Sequence, residues 1–306
     1  MPPEAQWKRP MTPEDILSHA PLALTPAQRE AYFRDGFVAV PGAVPPDLLA
    51  AIRAKSDEFL DKSRSVSGPN EFFDLGANHS PEQPHVRRLR KPVDADPLFW
   101  DVAAGDVMTR IAADLVGPDV TFHSCKLNYK WPGTGELVKW HQDINAWPHT
   151  NYSPVTLGIH LDDVGEDEGP LACVPGSHDG PLYTQFGPDG RWTGHLSAAD
   201  EAQAHLETAV NLTGPAGTVI AINCRTIHAS FANKTARVRP LLLNVYSSAD
   251  AFPWTVSPTP TSRSGEIVRG QRARFVHLDP RPCEVPPEWD KIGYTSIFAA
   301  QKTAAE

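Results

Sequence analysis

Within "VKWHQDINAW", residues 138–147, His141 and Asp143 stand one residue apart among residue types that favour strands. Side chains i and i+2 of a strand share a face, so this pair would present an imidazole and a carboxylate side by side, two arms of a chelate. The spacing alone is not selective, because His160-Leu161-Asp162 and His277-Leu278-Asp279 repeat it. A further histidine narrows the choice. His228, in "INCRTIHASFANKTARVRPLLLNVY", follows an apolar strand and precedes a polar turn, the position of a ligand at the mouth of a barrel. Two imidazoles and one carboxylate make the facial set that holds non-haem Fe(II) with three positions open, although zinc or manganese would also accept it. Arg239 follows His228 by 11 residues and opens the next strand. Its planar fork can take the far end of a dicarboxylate through two parallel hydrogen bonds, which a lysine cannot copy. Arg237 competes for that role.

Such residues need a rigid frame, and the chain spells one out. Thr25, Pro26 and Gly36 mark the N-cap, first turn and stop of a helix over "TPAQREAYFRDG". "FVAVPG" reads as a strand, and "PPDLLAAIRAKSDEFLDKS" as an amphipathic helix with Leu48, Leu49, Ile52, Phe59 and Leu60 on one side. Val107, Ile111 and Leu115 recur every four residues in a third helix ending at Gly117. From Val120 the period shortens to short strands: "VTFHSCKLNYKW", "ELVKWHQD", "PVTLGIHLDD", "GPLACVPG", "GTVIAIN" and "RPLLLNVYSS". Helices followed by a run of strands predict a mostly β fold with flanking helices, an antiparallel double sheet or barrel closed on one side by helices. Residues 1–24 read as a loosely held N-terminal arm and 25–306 as one domain. The polar, Pro- and Asn-rich segment 64–95, which carries the basic cluster "HVRRLRKP", reads as a lid or substrate loop.

Composition sets the class of partner. The 31 prolines among 306 residues are about twice the usual share of about 5% and favour short strands with ordered loops. A net charge of -9 argues against a nucleic-acid or anionic-membrane surface and for small-molecule chemistry. The N-terminus has no apolar core of a signal sequence, and no run of about 18 apolar residues occurs. Cys125, Cys173, Cys224 and Cys283 are widely spaced, without a C-x-x-C pair, as reduced thiols of a cytoplasmic protein would be.

The ordered series "WHQD", "HLDDVGEDEGPLACVPGSH" and "IHASFANKTARVRPLLLNVY" resembles the phytanoyl-CoA dioxygenase family of Fe(II)- and 2-oxoglutarate-dependent oxygenases. The likeness runs from about Phe122 to Ser248 and extends more weakly over "REAYFRDGFVAVPG". It implies a double-stranded β-helix, or jelly roll, over about 120–248. It also implies that His141, Asp143 and His228 bind the metal, and that Arg239 binds the distal carboxylate of 2-oxoglutarate, helped by Thr156 and Asn128. Ser230 and Lys126 fall in the same pocket. By the same resemblance His160 and Asp162 lie on an ordinary core strand. His160 shares strand parity with Thr156, so it either touches substrate or is a hydrogen-bonded interior histidine.

The implied reaction couples decarboxylation of 2-oxoglutarate, with O2, to hydroxylation of a substrate C–H, releasing succinate and CO2. Desaturation, epimerisation and ring closure use the same constellation; with Asp143 present, a halide has no open position. Two rivals stand beside it: a zinc- or manganese-dependent hydrolase on a cupin-like barrel, which has no need of Arg239, and a non-catalytic binding module, which has no reason to keep both ligands and arginine. Substrate contacts are expected from Trp147 and, if 86–91 is extended, from an inward arginine, Arg88, binding an anionic group. The oligomeric state is not legible.

Overall fold

The computed structural model describes residues 11–294 and 296–303. In chain order the helices α1 (Pro13–Ser18) and α2 (Pro26–Asp35) lead into β1 (Phe37–Val40) and the long α3 (Pro46–Ser63). Strands β2 (Phe73–Leu75) and β3 (Val86–Arg90) precede α4 (Pro92–Ala95), α5 (Pro97–Ala104) and α6 (Asp106–Val116). The strand-rich part follows: β4 (Val120–Lys130), β5 (Val138–His141), β6 (Val155–His160) and β7 (Leu171–Cys173), then α7 (Ala198–Glu201), β8 (Val210–Leu212), β9 (Val219–Asn223), β10 (His228–Ser230), β11 (Arg239–Ser248) and β12 (Ile267–Arg269). Helices α8 (Trp289–Ile292) and α9 (Ile297–Thr303) complete it.

Two antiparallel sheets face each other. The larger runs β1-β9-β6-β11-β4-β3-β2, with β12 also on β4, and the smaller runs β5-β10-β7-β8. This is the jelly roll that the family resemblance implies, and an antiparallel double sheet as the strand pattern predicts. Between the sheets, Leu241 and Leu243 of β11 meet Ile220, Ile222, Cys173 and Leu212. The opposite face of the large sheet, with Leu127, Leu157, Leu242 and Tyr246, packs against Ile52 of α3, Phe99 of α5 and Ile111 of α6. β11 is therefore apolar on both faces, which is why it reads as a continuous hydrophobic run instead of an alternation.

Two boundaries differ from expectation. The arm expected over 1–24 is docked from residue 12 onward, while its first ten residues lie outside the described part. α1 buries Ile16, and the backbone N–H groups of Leu22, Ala23 and Leu24 each donate at 2.8 Å to the Asp114 carboxylate of α6. Arg29 adds a bond to the His19 carbonyl at 2.8 Å. The 64–95 segment is not a free lid. β2 and β3 extend the large sheet beyond β4, with Arg88 opposite Asn128 and Leu89 opposite Leu127. Its polar look comes from the loops around those short strands. Among the described residues no helix is long and apolar enough to cross a membrane, and none of the four cysteines is disulfide-bonded.

Candidate active site

His141 ends β5 and His228 begins β10, and the two are direct partners in an antiparallel register. Their rings lie 4.1 Å apart, centroid to centroid. Asp143 is not on the strand, as the His-x-Asp reading supposed, but opens a 3-10 turn over Asp143–Asn145. The turn still brings its carboxylate to the imidazoles. Asp143 Oδ1 is 3.7 Å from His141 Nε2 and 4.0 Å from His228 Nε2, and one donor atom from each residue falls within 4.8 Å of the others. The buried middle residue holds the turn. Gln142 donates to the Arg225 carbonyl at 2.7 Å and accepts from the Tyr183 N–H at 3.0 Å. Ile144 N–H donates to the Cys224 carbonyl at 3.0 Å.

The protonation pattern suits a cation. His141 Nδ1 lies 2.9 Å from the Lys139 carbonyl and His228 Nδ1 lies 2.9 Å from the Thr226 carbonyl. A carbonyl accepts only, so both Nδ1 atoms carry a proton and both Nε2 atoms face Asp143. Burial, then the His141 ring, push His228 down to about 4. Burial by itself would raise Asp143, but His141, His228 and Lys126 outweigh it and keep the carboxyl ionised far below its ordinary range. Two imidazoles, each bonded through Nδ1 to a backbone carbonyl, and one carboxylate on one side of a cavity are the donor set that suits an Fe(II) ion.

Thr156, expected near the co-substrate's far end, lies at the metal end instead, donating to Asp143 Oδ2 at 3.2 Å. Arg239 lies elsewhere in the cavity wall. Its side chain is buried, donates to the Gly169 carbonyl at 2.6 Å and to the Glu168 carbonyl at 3.5 Å, and among the described residues has no carboxylate partner. Burial pulls its pKa down to about 10. Arg237 is on the surface, 3.4 Å from Glu168. Lys126, Asn128 and Ser230 line the same cavity. Burial lowers the Lys126 pKa, partly offset by Asp143.

On the β3 side, Arg88 is buried in the cavity wall, as the alternation predicts, and its Nε donates to Asn128 Oδ1 at 3.1 Å. Arg87 points away, toward Asp74 at 2.8 Å. Trp147 also lines the cavity, whereas Trp140 packs in a separate cluster. His160 is 2% exposed and shares a sheet face with Leu241. Arg239 and Leu241, the register partner of His160, form the wall there. Burial, then Arg239, hold its pKa down at about 4, and its Nδ1 has no hydrogen-bond partner among the described residues. His277 pairs with Asp250 at 2.6 Å, and His178 lies 3.1 Å from the Phe33 carbonyl; both are structural contacts.

Sequence reasoning missed two groups. Lys130 lines the cavity beside Arg239, although the alternation 126, 128, 130 along β4 already puts it on the face of Lys126 and Asn128. Tyr294 and Phe298 come from the C-terminal segment: Tyr294 hydrogen-bonds to Arg88, and the Phe298 ring lies 5.8 Å from the Arg88 guanidinium. No local signal announces a contact over that separation.

Comparison with known proteins then decides the class. The family profile of phytanoyl-CoA dioxygenase matches residues 32–241. The chain belongs to that family. It is similar, at 29% identity over 286 residues (91% of this chain, 98% of the relative), to a probable alpha-ketoglutarate-dependent hypophosphite dioxygenase of Stutzerimonas stutzeri. An L-proline trans-4-hydroxylase of Streptomyces griseoviridis is 28% identical over 240 residues, covering 72% of this chain and 86% of that one. Among solved structures, EctD from S. alaskensis with bound Fe superposes with a TM-score of 0.67 at 20% identity, covering 87% of this chain and 94% of that one. Family membership makes this chain a 2-oxoglutarate-dependent non-haem iron dioxygenase, with Fe(II) as cofactor and 2-oxoglutarate and O2 as co-substrates. The hydrolase and the non-catalytic module fall away.

Proposed function

We propose that this dioxygenase hydroxylates an unactivated C–H bond of a small molecule bearing an anionic group, releasing succinate and CO2. In this reading His141, Asp143 and His228 hold the iron, which supplies oxygen activation when bound. The protein's own residues do the rest. Thr156 steadies the Asp143 carboxylate, and Arg239 receives the distal carboxylate of 2-oxoglutarate, with Ser230, Asn128 and Lys126 along its length. The observation that carries the co-substrate assignment is the guanidinium itself: a buried Arg239 held only by neutral carbonyls leaves a positive charge without a counter-charge, which a carboxylate entering the cavity would supply.

For the substrate, support comes from Arg88, buried in the cavity wall, held by Asn128 and Tyr294 and backed by Phe298. Trp147 supplies an apolar wall beside it. The relatives named for hypophosphite and L-proline act on small molecules that carry a negative group, in keeping with such a pocket. The test is a screen of small carboxylates, phosphonates and neutral analogues for substrate-stimulated succinate formation with Fe(II), 2-oxoglutarate and O2. An anionic compound should stimulate most, and Arg88→Ala should raise its KM about tenfold or more, the scale of one hydrogen bond to a charged group. A best substrate that carries no anionic group, or an unchanged KM in Arg88→Ala, contradicts the anionic assignment.

A further inference from the structure

The Arg239 end of the cavity holds a second buried cation. Lys130 stands directly opposite Arg239 in the β4–β11 register. Its Nζ donates to Ser230 Oγ at 2.7 Å and to the Phe231 carbonyl. Gly169 shapes this end from a third side: a Cβ built there would lie 2.7 Å from Lys130 Cδ, and the Gly169 carbonyl is the acceptor that holds Arg239. Among the described residues, the acceptors that hold the two cations are all neutral.

The charged and titratable groups facing Lys130 are few. From β11 comes Arg239, which repels its charge; from the loop after β4 comes Glu136, whose weaker attraction is partly engaged by His85 at 3.4 Å; β10 and the residue after it offer Ser230 and the Phe231 carbonyl. From β6, His160 lies near Arg239 and is neutral above about pH 4. Two like charges in one buried end, opposed only by the weaker pull of Glu136, are unfavourable, and only the amine can relieve the conflict by losing a proton. Burial, followed by Arg239, brings the Lys130 pKa down to about 6.

We infer that Lys130 is a second anchor for the distal carboxylate of 2-oxoglutarate, a neutral amine in the free protein that takes up one proton from solvent as the carboxylate arrives. The inference rests on the assignment of Arg239 as the co-substrate anchor. The incoming carboxylate is already ionised at neutral pH, so the proton comes from water and ends on Nζ. Binding raises the Lys130 pKa; affinity is therefore greatest below about pH 6 and declines as pH rises above it, by up to about tenfold per pH unit.

The experiment is anaerobic calorimetry of 2-oxoglutarate binding to the Mn(II)-loaded protein at pH 7.5, in two buffers of different protonation enthalpy, repeated at pH 6.5. The native protein should take up close to one proton at pH 7.5 and bind more weakly there than at pH 6.5, by up to about tenfold. Lys130→Met should show uptake near zero and a pH-independent Kd at least about tenfold weaker than native at pH 6.5. Native binding without proton uptake, or a folded Met variant that keeps both native Kd and uptake, overturns the inference. The native uptake decides it even where the variant does not fold. If Arg239→Ala binds 2-oxoglutarate as tightly as the native protein, the underlying assignment of Arg239 fails instead, and the inference with it.

Discussion

His141 and His228 share one local device: each ring bonds through Nδ1 to the carbonyl two residues before it, which leaves Nε2 free toward the metal position. The carbonyls belong to the same strands and turns that carry the ligands, so ring orientation is set by the backbone that also sets the spacing. Replacing His141, Asp143 or His228 by Ala should abolish tight Fe(II) binding and turnover, while His160→Ala and His277→Ala should retain the iron, as an anaerobic metal titration would show. Arg239→Lys should raise the KM for 2-oxoglutarate about tenfold or more, because one point charge replaces a fork. Arg237→Lys should change it little, since Arg237 is on the surface opposite Glu168; equal effects at both positions would unseat Arg239. The ligand candidates were legible from residue type and spacing, but the turn at Asp143 was not. A pair i, i+2 can converge from a strand or from a strand end followed by a turn, and the sequence around Gln142 does not distinguish them.

Among the elements, helix boundaries were the most legible, because caps are written locally. The Thr25 side chain accepts from the Gln28 N–H, Pro26 opens α2, and Gly36 closes it at φ 85°. The placement of 64–95 was not legible, since β3 is a short strand whose pairing with β4 depends on residues some 40 positions away, and β2 joins the sheet only through β3. The docking of residues 12–24 depends likewise on a remote group, Asp114, which satisfies three successive backbone N–H groups. Asp114→Ala removes the acceptor of three N–H groups, of which only that of Leu24 is buried, and should destabilise the protein by about 1–2 kcal/mol, measured by denaturant unfolding. Proteolysis should then begin near residue 20. A loss below about 0.5 kcal/mol would mean that the N-terminal segment adds little to stability.

Over the whole molecule, the order of helices and strands was enough to predict an antiparallel double sheet or barrel closed by helices, because antiparallel strands with short connections leave few other arrangements, and the resemblance to the dioxygenase family narrowed that to a jelly roll. The closure of the cavity was not predictable: Tyr294 and Phe298 reach Arg88 across more than half the chain. Burial also gives the whole fold a pH dependence. His149 and His160 are held at about 4, His149 chiefly by burial and His160 by burial and then Arg239, whereas an unfolded chain protonates them near 6.5. Between those values the unfolded state binds more protons, so stability is full above about pH 6.5 and is lost as pH falls toward 4, by up to about 1.4 kcal/mol per pH unit for each histidine. Thermal unfolding of the metal-free protein at pH 7.5, 6 and 5 should show Tm dropping through that window; a flat Tm would show that these rings are not buried neutral.

The assignment of iron and co-substrate to one cavity is open to a single spectroscopic titration. Fe(II) and 2-oxoglutarate added anaerobically to the metal-free protein should give the visible charge-transfer absorption of an Fe(II)–2-oxoglutarate chelate, saturating at one equivalent of each. The band should be absent from His141→Ala, Asp143→Ala and His228→Ala, persist in His160→Ala, and need more 2-oxoglutarate in Arg239→Lys. A native protein that binds Fe(II) without developing the band, or a His228→Ala variant that develops it while His160→Ala does not, would contradict the site described here.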